Sequence, residues 1–253
     1  MNINKKNLKD VENKMMKIKA HDGPARIGQQ DEMQTPNIIN YKQLDTVENI
    51  ATPFKIQKEI AEENMRKTIE LAKKEEDKTK IAVIQGAQYT DLRVECAKQL
   101  EKLNYTKLTF ANTDELQRNP EKLLEIIINV RENINPNTTL YFPFATTQII
   151  PILAYIGIDI FDTSRAIYEA KNDNLMTQTN IYPASEYDMT DDLEKENIKQ
   201  LEYTICEIQQ NMKNKTLRNL TEQRAATHPE LMTLHRLLDK NHQNYLQKYT
   251  QLY

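Results

Sequence analysis

Residues 80–100 read KIAVIQGAQYTDLRVECAKQL and contain both halves of a strand-turn-helix unit. The compact apolar run at 80–85 predicts a buried strand, and Gly86 predicts the turn that follows it. Apolar residues then recur with helical spacing, which predicts a helix over 90–103 with Thr90 as its N-terminal cap. A strand joined to a helix by a short turn is the repeating unit of parallel α/β folds.

The same alternation continues along the chain on both sides of this unit. Short apolar runs predict three more strands, at 107–111, 138–142 and 158–161. Amphipathic spacing predicts three more helices, at 54–78, 120–133 and 147–156. Strands separated by helices predict a parallel sheet or a barrel of βα units.

The N-terminal part follows a different pattern. Residues 1–14 are polar and predict a flexible lead-in. The sequence MKIKAHDGPARIGQ at 16–29 alternates on both sides of Asp22-Gly23, which predicts a β-hairpin. Residues 35–53 have no clean period, so irregular chain is expected there.

The C-terminal part, 191–253, is predicted to be helical throughout, with a break at His228-Pro229. The sequence therefore predicts three regions: the lead-in, an α/β domain over 15–190 and a C-terminal helical region. An aromatic-rich stripe ends the chain, formed by Tyr245, Leu246, Tyr249, Leu252 and Tyr253. It would pack either on the α/β domain or on a second copy of the chain, so self-association stays open.

Composition narrows the classes of function. The net charge of −3 argues against nucleic-acid binding through bulk charge, so RNA contact would need a local basic patch. No apolar stretch has the roughly 18 residues of a membrane span, and the N-terminus lacks the apolar core of a signal peptide. A cytosolic protein with no membrane contact is expected.

Two cysteines and two basic clusters complete the inventory. Cys96 and Cys206 stand far apart, which predicts neither a disulfide nor a zinc site, and each is expected to be a small buried or half-buried side chain. No metal and no cofactor is expected. The basic clusters are solvated helix surface or RNA contacts; they comprise Lys73, Lys74, Lys78 and Lys80, and then Lys213, Lys215 and Arg218.

Two predicted strand ends carry residues suited to a site. Gln85, Gly86 and Ala87 follow the first strand, and Asp162 follows the fourth. Ligand sites in parallel α/β folds collect at the carboxyl ends of strands. From the pattern alone, Asp162 could equally be a helix cap or a turn residue.

Several segments in a fixed order resemble one family. VIQGAQYTDLR at 83–93 resembles a signature of strand, Gln-Gly-Gly, aromatic and Asp-Leu-Arg, and GIDIFD at 157–162 resembles a Gly-x-Asp-Leu-Phe-Asp motif. KAHDGPARIG with the later Thr35-Pro36 is similar to an opening hairpin and its Thr-Pro. These are motifs of the tRNA-guanine transglycosylase superfamily. TLYFPFATTQ at 139–148 and the segment from 216 onward look most like the N-terminal part of archaeosine synthases.

The resemblance implies a reduced or incomplete TIM-like (β/α) barrel and a role in tRNA modification. It implies that Asp162 occupies the place of the nucleophile that attacks the ribose anomeric carbon and displaces the base. It implies that Gln85, Gly86 and Ala87 line the pocket for a 7-deazaguanine base. Asp159, the first acid of the same motif, is expected to be structural.

Departures from the family pattern weaken the case for base exchange by this chain. The segment with the second catalytic aspartate and the Cys-x-Cys-x-x-Cys zinc ligands have no counterpart. Ala87 and Phe144 stand where the family has glycine. The archaeosine synthase segment that follows in that family, and the RNA-binding PUA domain, are not matched.

Three functions therefore stay open. The first is a shortened subunit acting on deazaguanine-modified tRNA with a separately encoded partner, either the archaeosine synthase catalytic and PUA part or a radical-SAM protein. The second is an active tRNA-ribosyltransferase with Asp162 as nucleophile. The third is a scaffold that kept the fold without nucleic-acid function.

Overall fold

The structure is a computed structural model that describes residues 15–186 and 192–249. It begins with an antiparallel sheet of three strands, Lys17–Asp22 (β1), Ala25–Gln30 (β2) and Met33–Thr35 (β3). Gly23 turns the hairpin with a φ of +58°, a left-handed conformation that favours glycine. The predicted hairpin is confirmed, and β3 extends it.

A parallel sheet of five strands follows. Its members are Asn37–Ile39 (β4), Ala82–Ile84 (β5), Lys107–Phe110 (β6), Thr139–Tyr141 (β7) and Ile160–Asp162 (β8). Their order across the sheet is β4-β8-β7-β6-β5, and every pairing is parallel. The four strands predicted from apolar runs are confirmed, each slightly shorter than predicted.

Helices connect the strands and cover one face of the sheet. Between the strands lie Lys58–Lys74 (α1), Thr90–Lys102 (α2), Thr113–Gln117 (α3), Pro120–Asn133 (α4) and Ile150–Tyr155 (α5). After β8 come Ser164–Lys171 (α6) and a small hairpin of Asn174–Met176 (β9) and Ile181–Pro183 (β10). The C-terminal helices are Leu193–Asn214 (α7), Leu217–Ala225 (α8), Pro229–Asn241 (α9) and Gln243–Tyr249 (α10).

The sheet is curled, with a large outer core and a small inner one. The inner cluster contains Ile81 beside β5, Tyr141 of β7 and Ile160 of β8, with Ile39 of β4 against them. In a flat sheet, β5 and β8 would stand about 14 Å apart. Side chains from both can share one cluster only because the sheet bends round on itself. The predicted α/β fold, an incomplete (β/α) barrel with an N-terminal hairpin and C-terminal helices, is confirmed.

A short segment brings the two edges of the sheet towards each other. After β4 the chain crosses to the far edge, where Thr46 forms a parallel bridge with Ile81. The backbone N–H of Val47 donates to the Ile81 carbonyl at 2.9 Å. This segment was predicted to be irregular, but it contains β4 and this bridge. The two apolar residues of β4, Ile38 and Ile39, stand between polar neighbours and give too little pattern to be seen in a sequence.

The hairpin docks on the sheet through a buried ion cluster. Arg26 of β2 and Arg131 of α4 both donate to one Asp159 oxygen, Arg131 at 3.3 Å, and all three side chains are buried. The backbone N–H of Leu140 donates to the same oxygen at 2.8 Å. Burial, followed by the nearby Arg26 charge, lowers the pKa of Arg131 to about 9. Asp159 therefore has the structural role expected of it.

The C-terminal helices share the outer core of the barrel. The predicted break is confirmed, since α9 begins at Pro229 with His228 before it. Tyr245 of α10 is buried and donates its hydroxyl to the Ile156 carbonyl at 2.9 Å. Leu246 and Tyr249 pack against the same core. The described part of the terminal stripe thus packs on the barrel.

Some predictions fall outside these residues or are wrong. Leu252, Tyr253 and the lead-in at 1–14 lie outside the described residues, and so does the predicted boundary at 190/191, so a separate helical domain stays a prediction. Cys96 is buried as expected, but Cys206 is exposed, against the prediction. Across residues 15–186 and 192–249, no helix is long and apolar enough to cross a membrane.

Candidate functional site

Gln85 and Asp162 lie at the same edge of the parallel sheet. Gln85 directly follows β5, and Asp162 is the last residue of β8. Parallel strands end on one side, so both residues are at the carboxyl edge, where α/β folds bind ligands. Their strands are not neighbours, however, since β6 and β7 lie between them. These two turns therefore do not finish adjacent strands.

The Gln85 side chain is buried, and only one of its two polar groups has a hydrogen-bond partner among the described residues. Its side-chain N–H donates to the Asn49 amide oxygen at 2.9 Å. Its own amide oxygen has no hydrogen-bond partner among the described residues, and neither has the buried hydroxyl of Thr109 in β6. Unpaired buried polar atoms are costly, which makes them candidates for contacts with a ligand or with water.

The turn after Gln85 depends on a buried arginine. Gly86 has a φ of +143°, and a Cβ there would lie 2.7 Å from the backbone nitrogen of Arg93. Arg93 is fully buried and donates to the carbonyls of Ala87 at 2.7 Å and Ala111 at 2.9 Å. Desolvation lowers the pKa of Arg93 to about 10, so it stays charged at neutral pH. It ties the turn to the end of β6.

Asp162 is buried, with 2 % of its surface exposed, and accepts four hydrogen bonds. One carboxylate oxygen accepts from the Tyr141 hydroxyl. The other accepts from the backbone N–H groups of Phe144 at 3.2 Å and Ser164 at 3.0 Å, and from the Ser164 hydroxyl at 2.5 Å. Burial, and then the Asp162 charge, raise the pKa of Tyr141, so its hydroxyl remains a donor. Three of these bonds fall on Oδ1 and one on Oδ2, so both carboxylate oxygens are engaged.

Aromatic and cationic side chains stand beside Asp162. Phe144 meets Tyr168 edge-on with ring centroids 5.3 Å apart. The Arg165 guanidinium carbon lies 4.7 Å from the Phe144 centroid and 5.7 Å from that of Tyr168. We call Phe144, Arg165 and Tyr168 the aromatic platform. Phe144 comes from the loop after β7, and Arg165 and Tyr168 come from the first turns of α6.

A cleft near this edge contains none of the four predicted site residues. It has a volume of about 370 Å³ and lies between α3, α6, the β9–β10 hairpin and the start of α9. Its charged lining residues include Arg118, Arg165, Asp114 and Glu230, two of each sign. That balance does not select for an anion.

Some members of each predicted basic cluster are bound to neighbouring groups of the protein. Lys78 donates to the Ala72 carbonyl at 2.7 Å at the end of α1, and Lys80 pairs with Glu75 at 2.9 Å. Arg218 pairs with Asp239 at 2.7 Å. These contacts favour the interpretation as structured helix surface. Among the described residues, no group of three or more histidine, cysteine or acidic side chains could hold a metal ion.

Sequence reasoning missed the partners that define the site. Arg93 was part of a quoted motif but had no assigned role, and Tyr141 and Ser164 were not singled out. A local signal existed for Ser164, two residues after an aspartate at the start of a helix. No sequence signal connects Tyr141 with a carboxylate 21 positions away.

Comparisons with known proteins identify relatives of this chain by sequence. The sequence model of the family "Queuine tRNA-ribosyltransferase" matches residues 3–245. An archaeosine synthase of Methanocaldococcus jannaschii is 34 % identical over 123 residues, which are 49 % of this chain and 21 % of that protein. A tRNA-guanine(15) transglycosylase of Thermococcus kodakarensis is 26 % identical over 236 residues, covering 81 % of this chain and 40 % of that protein. The chain thus spans less than half the length of these relatives.

Proposed function

Because this chain belongs to the queuine tRNA-ribosyltransferase family, we propose that it acts in tRNA modification of the transglycosylase and archaeosine synthase type. In this proposal it is a tRNA-binding subunit for tRNA that already carries a 7-deazaguanine base. A separately encoded partner, an archaeosine synthase catalytic and PUA part or a radical-SAM protein, supplies the chemistry. The complex would act in the cytoplasm.

The state of Asp162 is the observation that carries the non-catalytic role. A nucleophilic carboxylate needs a lone pair that can reach the anomeric carbon of the ribose. Here both oxygens already accept hydrogen bonds, three on Oδ1 and one on Oδ2, and 2 % of the residue is exposed, so little of the carboxylate is open to a ribose. Hydrogen bonds to the charged form also stabilise it and lower its reactivity. Asp162 thus serves to join the loop after β7 to the start of α6.

The alternative is an active tRNA-ribosyltransferase, and one observation favours it. The unpaired amide oxygen of Gln85 and the unpaired hydroxyl of Thr109 lie at the same buried edge. Polar atoms left without partners are what a pocket for a nucleobase would offer. In this case the four donors around Asp162 would have to rearrange before attack.

Asp162→Asn distinguishes the two functions. Asparagine keeps one acceptor oxygen for Phe144 and Ser164, and its amide can pair with the Tyr141 oxygen, so the fold should survive. Cells lacking the native chain would be complemented with this variant, and the modified nucleoside in their tRNA quantified by mass spectrometry. For a binding subunit we expect wild-type levels. Abolished modification in a variant with an unchanged melting temperature would contradict the proposal.

Ser164→Ala is the matched control. It removes one donor to the carboxylate but leaves the carboxylate itself. A structural Asp162 predicts similar, mild effects of the two variants, whereas a nucleophilic Asp162 predicts full activity for Ser164→Ala alone. Denaturing gels of the wild type with tRNA give a second readout, because base exchange through Asp162 requires a covalent protein–RNA intermediate. We expect no such adduct.

A further inference from the structure

We propose that the aromatic platform of Phe144, Arg165 and Tyr168 is a stacking site for an unpaired nucleobase of the bound tRNA. The inference rests on the proposed function, since it specifies how a tRNA-binding subunit contacts its RNA. A platform of this kind recognises the planar face of a base without reading its sequence.

The exposure of Tyr168 is the first observation behind this proposal. Tyr168 is 51 % exposed, which places it among the few large apolar side chains of the described chain that face solvent. The half-buried Phe144 ring supports it edge-on at 5.3 Å. Phe144 is the underlying ring and Tyr168 the outer one, so one aromatic face is held in place while still open to a ligand.

Arg165 makes the platform suitable for nucleic acid. Its guanidinium group is fixed by Glu169, whose carboxylate lies 2.7 Å away, and by Asp114 at 3.6 Å. Its guanidinium carbon lies 4.7 Å from the Phe144 centroid and 5.7 Å from the Tyr168 centroid. Unpaired RNA bases stack on aromatic rings and on arginine planes alike, and here the two surfaces are adjacent.

The position of the platform agrees with contact to tRNA. Tyr168 and Arg165 lie in the first two turns of α6, which begins directly after Asp162, and the Phe144 N–H donates to Asp162 at 3.2 Å. A base on the platform would therefore lie at the carboxyl edge of the sheet. The adjacent cleft, with its two arginines and two acids, gives no comparable preference for an anion. Stacking rather than charge is the distinguishing chemistry.

Tyr168→Leu tests the platform, with Tyr203→Leu as its matched control. Tyr203 is 52 % exposed but lies on α7 and is not part of the platform. Binding of a tRNA that carries the 7-deazaguanine base would be measured by filter binding or fluorescence anisotropy at several salt concentrations. Loss of one base–aromatic stack predicts a drop in affinity of about 5- to 100-fold for Tyr168→Leu. Tyr203→Leu should bind like the wild type, and Tyr168→Trp should restore binding.

Two further readouts separate stacking from other contacts. The slope of log affinity against log salt should be the same for Tyr168→Leu and wild type, because no phosphate contact is lost. A fully paired RNA duplex should bind both proteins equally, because its bases are not free to stack.

The outcomes also separate this inference from the proposed function. Wild-type binding of tRNA with no change in Tyr168→Leu would overturn the platform and leave the tRNA-binding role standing. A wild-type chain that binds no tRNA, alone or with its partner, would overturn both. Equal losses in Tyr168→Leu and Tyr203→Leu would show a general surface effect and would also overturn the platform.

Discussion

Two residues hold left-handed backbone conformations that glycine adopts more easily. Ala87 has a φ of +51° and Phe144 a φ of +61°. The motif resemblance implies glycine at both positions in the family. The strain of an L side chain, about 1 kcal/mol or more, is accepted at each. At Phe144 the ring is used, since it forms part of the platform.

Ala87→Gly is therefore expected to change stability very little. Relief of the left-handed strain, about 1–2 kcal/mol, offsets the lost burial of one methyl and the extra freedom of glycine in the unfolded chain. Ala82→Gly is the control, because Ala82 is equally buried but lies in the regular strand β5. There we expect a loss of about 1–2 kcal/mol in the free energy of unfolding, measured in urea. Equal losses at both positions would contradict this account of Ala87.

At the residue scale, the sequence predicted the positions of the site residues better than it predicted their roles. The need for glycine at position 86 could be predicted from the sequence, because Gly86 comes directly after one predicted strand. The hydrogen bonds to Asp162 could not be predicted in this way, because their donors come from β7, the loop after it and the start of α6. Hydrogen bonds between distant segments have no period and no fixed spacing in the sequence.

At the scale of elements, the hydrophobic pattern predicted the elements that lie in longer apolar stretches and missed those that do not. Strands β5 to β8 and helices α1, α2 and α4 follow from apolar spacing in the sequence. Thr90, the predicted cap of α2, instead donates its hydroxyl to Glu125 of α4 at 2.7 Å. Strands β4, β9 and β10 lack a longer apolar run and are stabilised by their neighbours in the sheet, so no local pattern marks them.

Helix α10 also shows why a surface stripe in a sequence is ambiguous. Tyr245 is 2 % exposed, and its hydroxyl satisfies the carbonyl at the end of α5. We expect Tyr245→Ala to lower the free energy of unfolding by about 3–5 kcal/mol, from the lost ring and the unpaired carbonyl. Gln247→Ala, an exposed change on the same helix, should have an effect within about 0.5 kcal/mol. Denaturant unfolding measures both.

The oligomeric state is the second readout for that helix. If Tyr245 packs on its own barrel, size-exclusion chromatography should give the same elution for the wild type and for folded Tyr245→Ala at every protein concentration. Dissociation of an oligomer in the variant would contradict packing within one chain.

Taken as a whole, the molecule titrates through histidines in distant parts of the fold. Burial is the main cause that lowers the pKa of His21 in the hairpin, of His235 in α9 and of His242 after it. For His235 the nearby Arg218 adds to this effect. The Arg218 guanidinium lies 3.4 Å from Nδ1 of His235, and Nε2 of His235 lies 3.2 Å from the Thr221 hydroxyl. This arrangement suits the neutral ring, with Nδ1 accepting from Arg218.

We therefore expect acid to destabilise the protein between about pH 6.5 and 5. Below its ordinary pKa of about 6.5 a histidine in the unfolded chain binds a proton, while the folded chain resists it, so stability is full above this range and is lost as the pH falls. Each histidine can contribute a slope of at most about 1.4 kcal/mol per pH unit. His235→Gln should flatten the slope measured by urea unfolding, since glutamine can pair with Arg218 and Thr221 without titrating. Leu234→Ala, on the same helix, should lower stability equally at all pH values. A His235→Gln slope identical to that of the wild type would show that His235 does not sense the pH.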